Sequence, residues 1–395
     1  MRNYRILPGA LALGLAACGG GSDAGGGDAG TVTIVSTNET IPGAAPVSAS
    51  EATSDSGAAQ SEAAVTKRFL NASIHGFTPI GAATPSKGPR LPIGKCINMG
   101  NMLELPTEGQ WGRPIADNDF RIIRDAGFNT VRIPVRWSAH ADQSAPYTID
   151  PAFIGRVKYV VGLADAAGLH VILDMHAYDL LMYDPDAHAA RFAAMWKQIG
   201  KAFASQGSNV WFELLNEPKG KISNANLLTI LKPALANIRA TNPTRPVIIG
   251  GAPGSEVVSL RTLEMPDDPY VVPTIHTYEP MEFTHQGADW VSPKLPLGRA
   301  YGTAADLTQL KGLVSEVRAY MDRTGRVPFV GEYGAIDENV PLYQRIQYYA
   351  TVSAAFASIG VQSCAWSYDN TFRLRSGTEW LPGLASTIRT TTTVE

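Results

Sequence analysis

VWFELLNEP, residues 210–218, is a mostly apolar run of strand length that stops at Asn216, Glu217 and Pro218. Such a run reads as a buried strand, and the proline that ends it leaves a carboxylate at the strand's C-terminal edge. That edge is where an α/β barrel keeps its chemistry. A second run of the same kind, VPFVGEYGA at 327–335, ends in Glu332 between Gly331 and Gly334. Two strand-end glutamates point to a two-carboxylate enzyme. A single strand-end glutamate is as often a solvated loop residue or an arginine's partner. The balance tips on Asn216 beside Glu217, and on Arg132, His176, His276, Tyr278 and Trp366 at the ends of other predicted strands.

Working outward from these two runs, strand-like and helix-like segments alternate from Leu91 onward, the pattern of parallel α/β folds. The predicted strands are 93–99, 130–135, 170–175, 210–215, 246–251, 271–276, 328–331 and 361–366. Helical patterns lie between them near 117–126, 151–167, 186–204, 224–240, 305–323 and 342–359, several opening at Asp, Pro or Asn as capping favours. Eight strands over this length, with no GxGxxG after the first, fit a (β/α)8 TIM barrel better than an open sheet. Glu217 then closes the fourth strand and Glu332 the seventh, and barrel closure brings them to face each other across one bowl. Paired carboxylates can protonate a leaving glycosidic oxygen and attack, or activate water, from the sugar's other face. A separation of about 5–5.5 Å implies retention of configuration, and about 6.5–9.5 Å inversion. Glu213, on the same strand as Glu217, reads as structural, buried against an arginine.

The 395 residues carry a formal net charge of -3, and three cysteines match no zinc spacing and make no disulfide scaffold. Nothing basic points to nucleic acid, and no cofactor or metal is called for. Arg2 and Arg5 precede an apolar run ending in LAAC at 15–18, a signal-peptide layout that resembles a bacterial lipoprotein box. Residues 1–17 are therefore expected to be cleaved and Cys18 lipidated, giving an exported, membrane-anchored protein at the outer membrane, cell surface or periplasm. Residues 18–67 are Gly, Ala, Ser and Thr-rich and read as a disordered tether. Residues 68–90 read as a lead-in packed against the catalytic domain, 91–395. Asn71-Ala-Ser73 matches a glycosylation tripeptide and is taken as chance in this setting. GGAPGSE at 250–256 lacks the Lys-Ser/Thr ending of a phosphate loop and reads as a turn.

Six segments carry a family resemblance: GKCINMGNMLE at 94–104, RIPVRW at 132–137, DMHAY at 174–178, LNEP at 215–218, TIHTYEPMEFTHQGADW at 274–290 and GEYGA at 331–335. Their order resembles glycoside hydrolase family five, the retaining cellulase-type barrels, and within it the bacterial endo-β-1,4-glucanases, some of which also accept mannan. The resemblance implies Glu217 as general acid/base, Glu332 as nucleophile, and Asn216 as the partner of the sugar 2-hydroxyl. It implies that Arg132 and Tyr278 hold the nucleophile ionised and oriented, that His176 and His276 line the cleft, and that Trp366 forms an aromatic floor. His140, His285, Gln286 and Trp290 are further candidates to line the groove. The bland readings are satisfied structural histidines and a plainly packed tryptophan.

Two departures bear on substrate. Ala177 stands where related enzymes often have a second histidine, and Ser367 where an acidic residue often follows the tryptophan, with Asp369 or Asn370 as possible substitutes. The expected activity is endo-hydrolysis of a polysaccharide, β-glucan first and mannan second, by a monomer. A surface lipoprotein that binds glycan without cutting it is the rival from another class. Cys96 and Cys364 fall on the first and last strands, which are neighbours once the barrel closes; a disulfide is permitted there but not implied.

Overall fold

All eight expected strands form, and they close in sequence order into one parallel barrel. They are β1 (Lys95–Asn98), β2 (Thr130–Ile133), β3 (His170–Asp174), β4 (Val210–Glu213), β5 (Val247–Gly250), β6 (Val271–His276), β7 (Phe329–Tyr333) and β8 (Ser363–Ala365). This computed structural model describes residue 64 and residues 74–393. The expected signal peptide, Cys18, the tether apart from Ala64, and residues 68–73 of the lead-in lie outside the described residues. Among the described residues no helix is long and apolar enough to cross a membrane.

The helices are α1 (Asp119–Asp125), α2 (Pro151–Ala166), α3 (Asp179–Tyr183), α4 (Pro185–Ala202), α5 (Asn224–Arg239), α6 (Met281–Thr284), α7 (Ala304–Thr324), α8 (Leu342–Ala357) and α9 (Leu384–Thr391). Their ends follow local chemistry. The Asp150 side chain accepts from the Ala152 N–H and Pro151 opens α2, while Thr303 and Asp306 form a capping box on α7 that satisfies orphan backbone donors. The short α3 and α6 and the two-residue strands β9 (Arg375–Ser376) and β10 (Glu379–Trp380) were not expected, since none is long enough to show a period.

Strand alternation sorts the side chains into two cores. Ile97, Val131, Leu173, Phe212, Ile249, Ile275 and Val330 point outward and pack in one cluster with residues of the surrounding helices. Cys96, Ile172, Trp211, Ile248, Val272, Phe329 and Cys364 point inward and fill the bottom of the barrel, together with Leu91 and Ile93 from below. Residues of the lead-in pack against the barrel: Ile80 N–H donates to the Ala357 carbonyl, and Ala83 N–H to the Gly360 carbonyl.

Two positions farther along four of the strands, the inward face turns polar: Asn98, Asp174, Glu213 and Thr274 are buried there. The pleat therefore stacks a charged layer on an apolar floor. At β6 and β7 the register shifts between Ile275 and His276 so that His276 pairs with Glu332. That irregularity carries Glu332 to the inside, where strict alternation from Phe329 would face it outward.

Cys96 and Cys364 sit opposite each other across the β1–β8 seam and are joined in a disulfide. The sulfurs are fully buried in the apolar floor. The bond closes a loop of 268 residues, for which chain entropy gives an upper bound of about 5 kcal/mol. Replacing both cysteines with serine is expected to lower the melting temperature by roughly 5–10 °C, and alkylation of the unfolded, unreduced protein to leave both residues unmodified. Two alkylated thiols with an unchanged melting temperature would contradict this.

Candidate active site

Arg132, at the end of β2, is completely buried at the centre of the charged layer. Its Nε and Nη2 donate to both oxygens of Glu213 at 2.7 and 2.8 Å, and Nη2 lies 2.7 Å from Asp174 Oδ2. Nη1 donates to Glu332 Oε1 at 2.7 Å and to Asn98 Oδ1 at 3.1 Å, and Nη2 also to Asn216 Oδ1 at 2.8 Å. One fork-shaped cation thus ties strands β1, β2, β3, β4 and β7 together. Burial works against its charge, but Glu213, Asp174 and Glu332 raise its pKa well above the ordinary value. Glu213 is buried against an arginine, as its sequence position suggested.

Glu332 is clamped from two sides. Arg132 holds one oxygen and the Tyr278 hydroxyl donates to the other at 2.8 Å. Burial together with Glu332 and Glu217 raises the Tyr278 phenol well above its usual value, so it stays a donor. Glu217 is held differently. Its side chain is 24% exposed against 5% for Glu332, and its backbone takes a left-handed φ of 44°, a strain of order 1–3 kcal/mol for a non-glycine residue. His276 Nδ1 lies 3.1 Å from its Oε1. Burial would raise the Glu217 carboxyl, but the hydrogen bond and charge of His276, with Lys219 and His176, bring it down to about 2. Burial would lower His276, and the facing Glu332 and Glu217 raise it instead. One oxygen of each glutamate and a ring nitrogen of His276 lie within 4.8 Å of one another. These three could physically take a cation; His276 Nδ1 is already engaged with Glu217.

His176 completes the arrangement from β3. Its Nδ1 meets Asp174 Oδ2 at 3.0 Å and its Nε2 meets Asn216 Nδ2 at 3.3 Å. Burial opposes its charge, but Asp174 outweighs that and lifts its pKa to about 9. Asp174 goes down in turn, burial being overcome by Arg132 and His176. The Trp366 ring stacks on His176 with centroids 6.1 Å apart. Gly100 makes room for it, since a Cβ there would lie 2.6 Å from the indole. Gly331 does the same for His276, whose Nε2 would be 2.9 Å from an added Cβ.

The structure therefore brings Asn216, Glu217, Glu332, Arg132, His176, His276, Tyr278 and Trp366 into one site. His285 sits at its edge against Tyr278 and Phe372, with the exposed Trp290 beyond it. Two candidates fall elsewhere. Gln286 is buried and holds its own loop together, donating to Phe283 and Arg299 carbonyls and accepting from Gly298. His140 stacks on Phe153 of α2, centroids 3.5 Å apart, so it packs a helix rather than lining the groove. Asp369 and Asn370, the suggested stand-ins at 367, are engaged with Arg113 and the Trp111 carbonyl.

Asn98, Asp174 and Glu104 went unassigned in the sequence. Glu104, in the loop after β1, accepts from the Asn101 and Met102 N–H groups, and burial raises its pKa although His176 and those N–H groups pull it down. For Asn98 and Asp174 the signal was present, because each lies two residues after an inward apolar residue of its strand.

This geometry agrees with what the chain is similar to. The family profile described as cellulase (glycosyl hydrolase family 5) matches residues 95–372, from β1 to the loop after β8. Endoglucanase H of Acetivibrio thermocellus is 34% identical over 274 residues, 69% of this chain and 29% of that protein. The chain thus spans less than a third of that relative's length. Among solved structures, Thermotoga maritima Cel5A in complex with cellobiose is 35% identical with a TM-score of 0.73, covering 75% of this chain and 97% of that one. Cel5A in complex with mannotriose gives 35% identity and a TM-score of 0.72 over 75% of this chain and 97% of that one. With a profile match across the whole barrel, the chain belongs to glycosyl hydrolase family 5, the cellulase family.

Proposed function

We propose that this chain is an exported, Cys18-anchored enzyme that cuts internal β-1,4 bonds of a glucan with retention of configuration. The observation that carries the reading is the unlike treatment of two carboxylates whose oxygens approach within 4.8 Å. That spacing suits a retaining pair, in which one carboxylate attacks carbon directly and no water has to fit between. Glu332, fixed by Arg132 and Tyr278, is the nucleophile. Glu217, more open and paired with His276, is the acid/base.

In the first step a Glu332 oxygen bonds to the anomeric carbon as the bond to the leaving oxygen breaks, and that oxygen takes the one proton held by the Glu217–His276 pair, delivered through the Glu217 carboxyl. In the second step water, deprotonated by Glu217, attacks the same carbon and releases Glu332. Asn216, oriented by Arg132, which donates to its Oδ1, keeps its amide toward the sugar 2-hydroxyl, where a hydrogen bond that strengthens in the transition state lowers the barrier. The Trp366 face offers a stacking surface for pyranose C–H groups. Export is supported by the Cys96–Cys364 bond, since disulfides persist mainly outside the cytoplasm.

Glucan is placed first because Endoglucanase H and the cellobiose-bound structure name it. Mannan is the second reading, favoured by the mannotriose-bound relative and by Ala177 and Ser367 at the altered positions. Reducing-end release from carboxymethylcellulose and from galactomannan, compared side by side, decides between them. Activity on carboxymethylcellulose is expected to fall at least about a thousandfold in Glu332→Ala and to recover partly with azide, which takes the place of the missing carboxylate. Activity on mannan alone would move the specificity, and full activity of the variant would overturn the site.

The alkaline limb of kcat/KM tests the proton source. Because Glu217 is lowered to about 2 and His276 is raised from its ordinary 6.5, the pair carries one proton between these limits and gives it up as the pH rises through the raised His276 value. His276→Asn removes the ring that holds the proton, so the limb is expected to move to lower pH. A limb unmoved by the substitution would contradict a shared proton.

A further inference from the structure

Large hydrophobic side chains left exposed on this molecule are unevenly placed. Of the eight among the described residues, Trp111, Leu180, Tyr183, Val258, Trp290 and Leu297 all lie on segments that follow barrel strands at their C-terminal ends. Single exposed apolar residues need no explanation, but an aromatic ring left open on a loop that adjoins the site invites one. Trp111 and Trp290 belong to the sides of the bowl formed by the loops after β1 and β6. Tyr183 stands apart, at the end of α3 after β3.

Tyr183 is held against the segment that carries the acid/base. The Lys221 N–H donates to the Met182 carbonyl at 2.8 Å, which fastens α3 to the loop after Glu217. A Cβ at Gly220 would lie 3.0 Å from the Tyr183 ring, so the bare glycine backbone supports the ring from behind. Leu181 and Met182 are buried, whereas Leu180 and Tyr183, three apart on one turn, are 52% and 54% exposed. A tyrosine ring backed by backbone and open to solvent on the rim is a flat apolar surface with one polar tip.

We infer that Tyr183, with Leu180 beside it, is a stacking platform for the sugar on the leaving-group side of the scissile bond, a role that rests on the activity proposed above. The side follows from the chemistry. The acid must reach the leaving oxygen, so the departing sugar lies over the Glu217 side of the bowl, and the loop from Glu217 to Gly220 runs directly to Tyr183. Trp366, stacked on His176, serves the retained sugar instead. The platform holds the departing unit in a longer chain, favouring internal cleavage over trimming of short ends.

The test uses the full-length protein and two substrates, cellotetraose and β-cellobiosyl fluoride. Both form the same glycosyl-enzyme, but fluoride leaves with no sugar to stack. Tyr183→Ala is expected to lower kcat/KM on cellotetraose by about three- to tenfold and to leave the fluoride reaction unchanged, with Tyr183→Trp restoring the loss. Equal losses on both substrates would mean that Tyr183 only supports the loop, and no loss on either would mean that it touches no sugar; each overturns the platform while leaving the hydrolase reading intact. Wild-type protein silent on both substrates would overturn the glucan reading and the platform with it.

Discussion

Everything in the site is arranged around the Arg132 guanidinium, buried out of water and facing three carboxylates at once. Placing a charge in such a position costs several kcal/mol, which partners of opposite sign offset only when the geometry is close to ideal. Here Arg132 donates to oxygens of Glu213, Glu332, Asn98 and Asn216, with Asp174 within ion-pair distance, so it has little freedom to move. Its partners come from different strands, and barrel closure alone makes them neighbours. The acids outnumber this one cation. His176 and His276 answer the excess, each raised by the carboxylates it faces.

The two glutamates are held differently by this layer, in keeping with the roles proposed for them. Glu332 is bound into the network through Arg132 and Tyr278 and keeps one orientation. Glu217 stands above the layer, on a strained backbone after the strand has ended, and touches it through His276. A nucleophile benefits from being fixed, because orientation lowers the entropy lost on reaching the transition state. An acid/base has to exchange protons with substrate and then with water, and needs the more open position. Below both, the apolar floor and the Cys96–Cys364 bond hold the β1–β8 seam that positions Asn98 and the Trp366 loop.

Much of this was legible in the chain. Apolar runs ending in Glu217 and Glu332 placed the fourth and seventh strands, and the period-two pleat already put Asp174 on the face of Ile172 and Asn98 on the face of Cys96. What the pleat could not show was the register shift at His276 that turns Glu332 inward, because a bulge leaves no period. His276 ends its predicted strand and reaches Glu217, whereas His140, five residues past another predicted strand and kept as a groove candidate, stacks on Phe153; only packing shows where such a loop histidine goes. Gln286 was misread for a similar reason: a polar residue within a site motif can be engaged entirely by its own loop.

The central claim, that Glu332 becomes covalently bonded to the sugar, is tested most directly by trapping. A 2-deoxy-2-fluoro cellobioside with a good leaving group slows the second step more than the first, so the glycosyl-enzyme accumulates and can be located by peptide mass spectrometry. The account predicts one added fluorocellobiosyl unit on the peptide containing Glu332, absent in Glu332→Ala. A label on Glu217 or any other residue, or turnover that inverts the anomeric centre with no label, would contradict it.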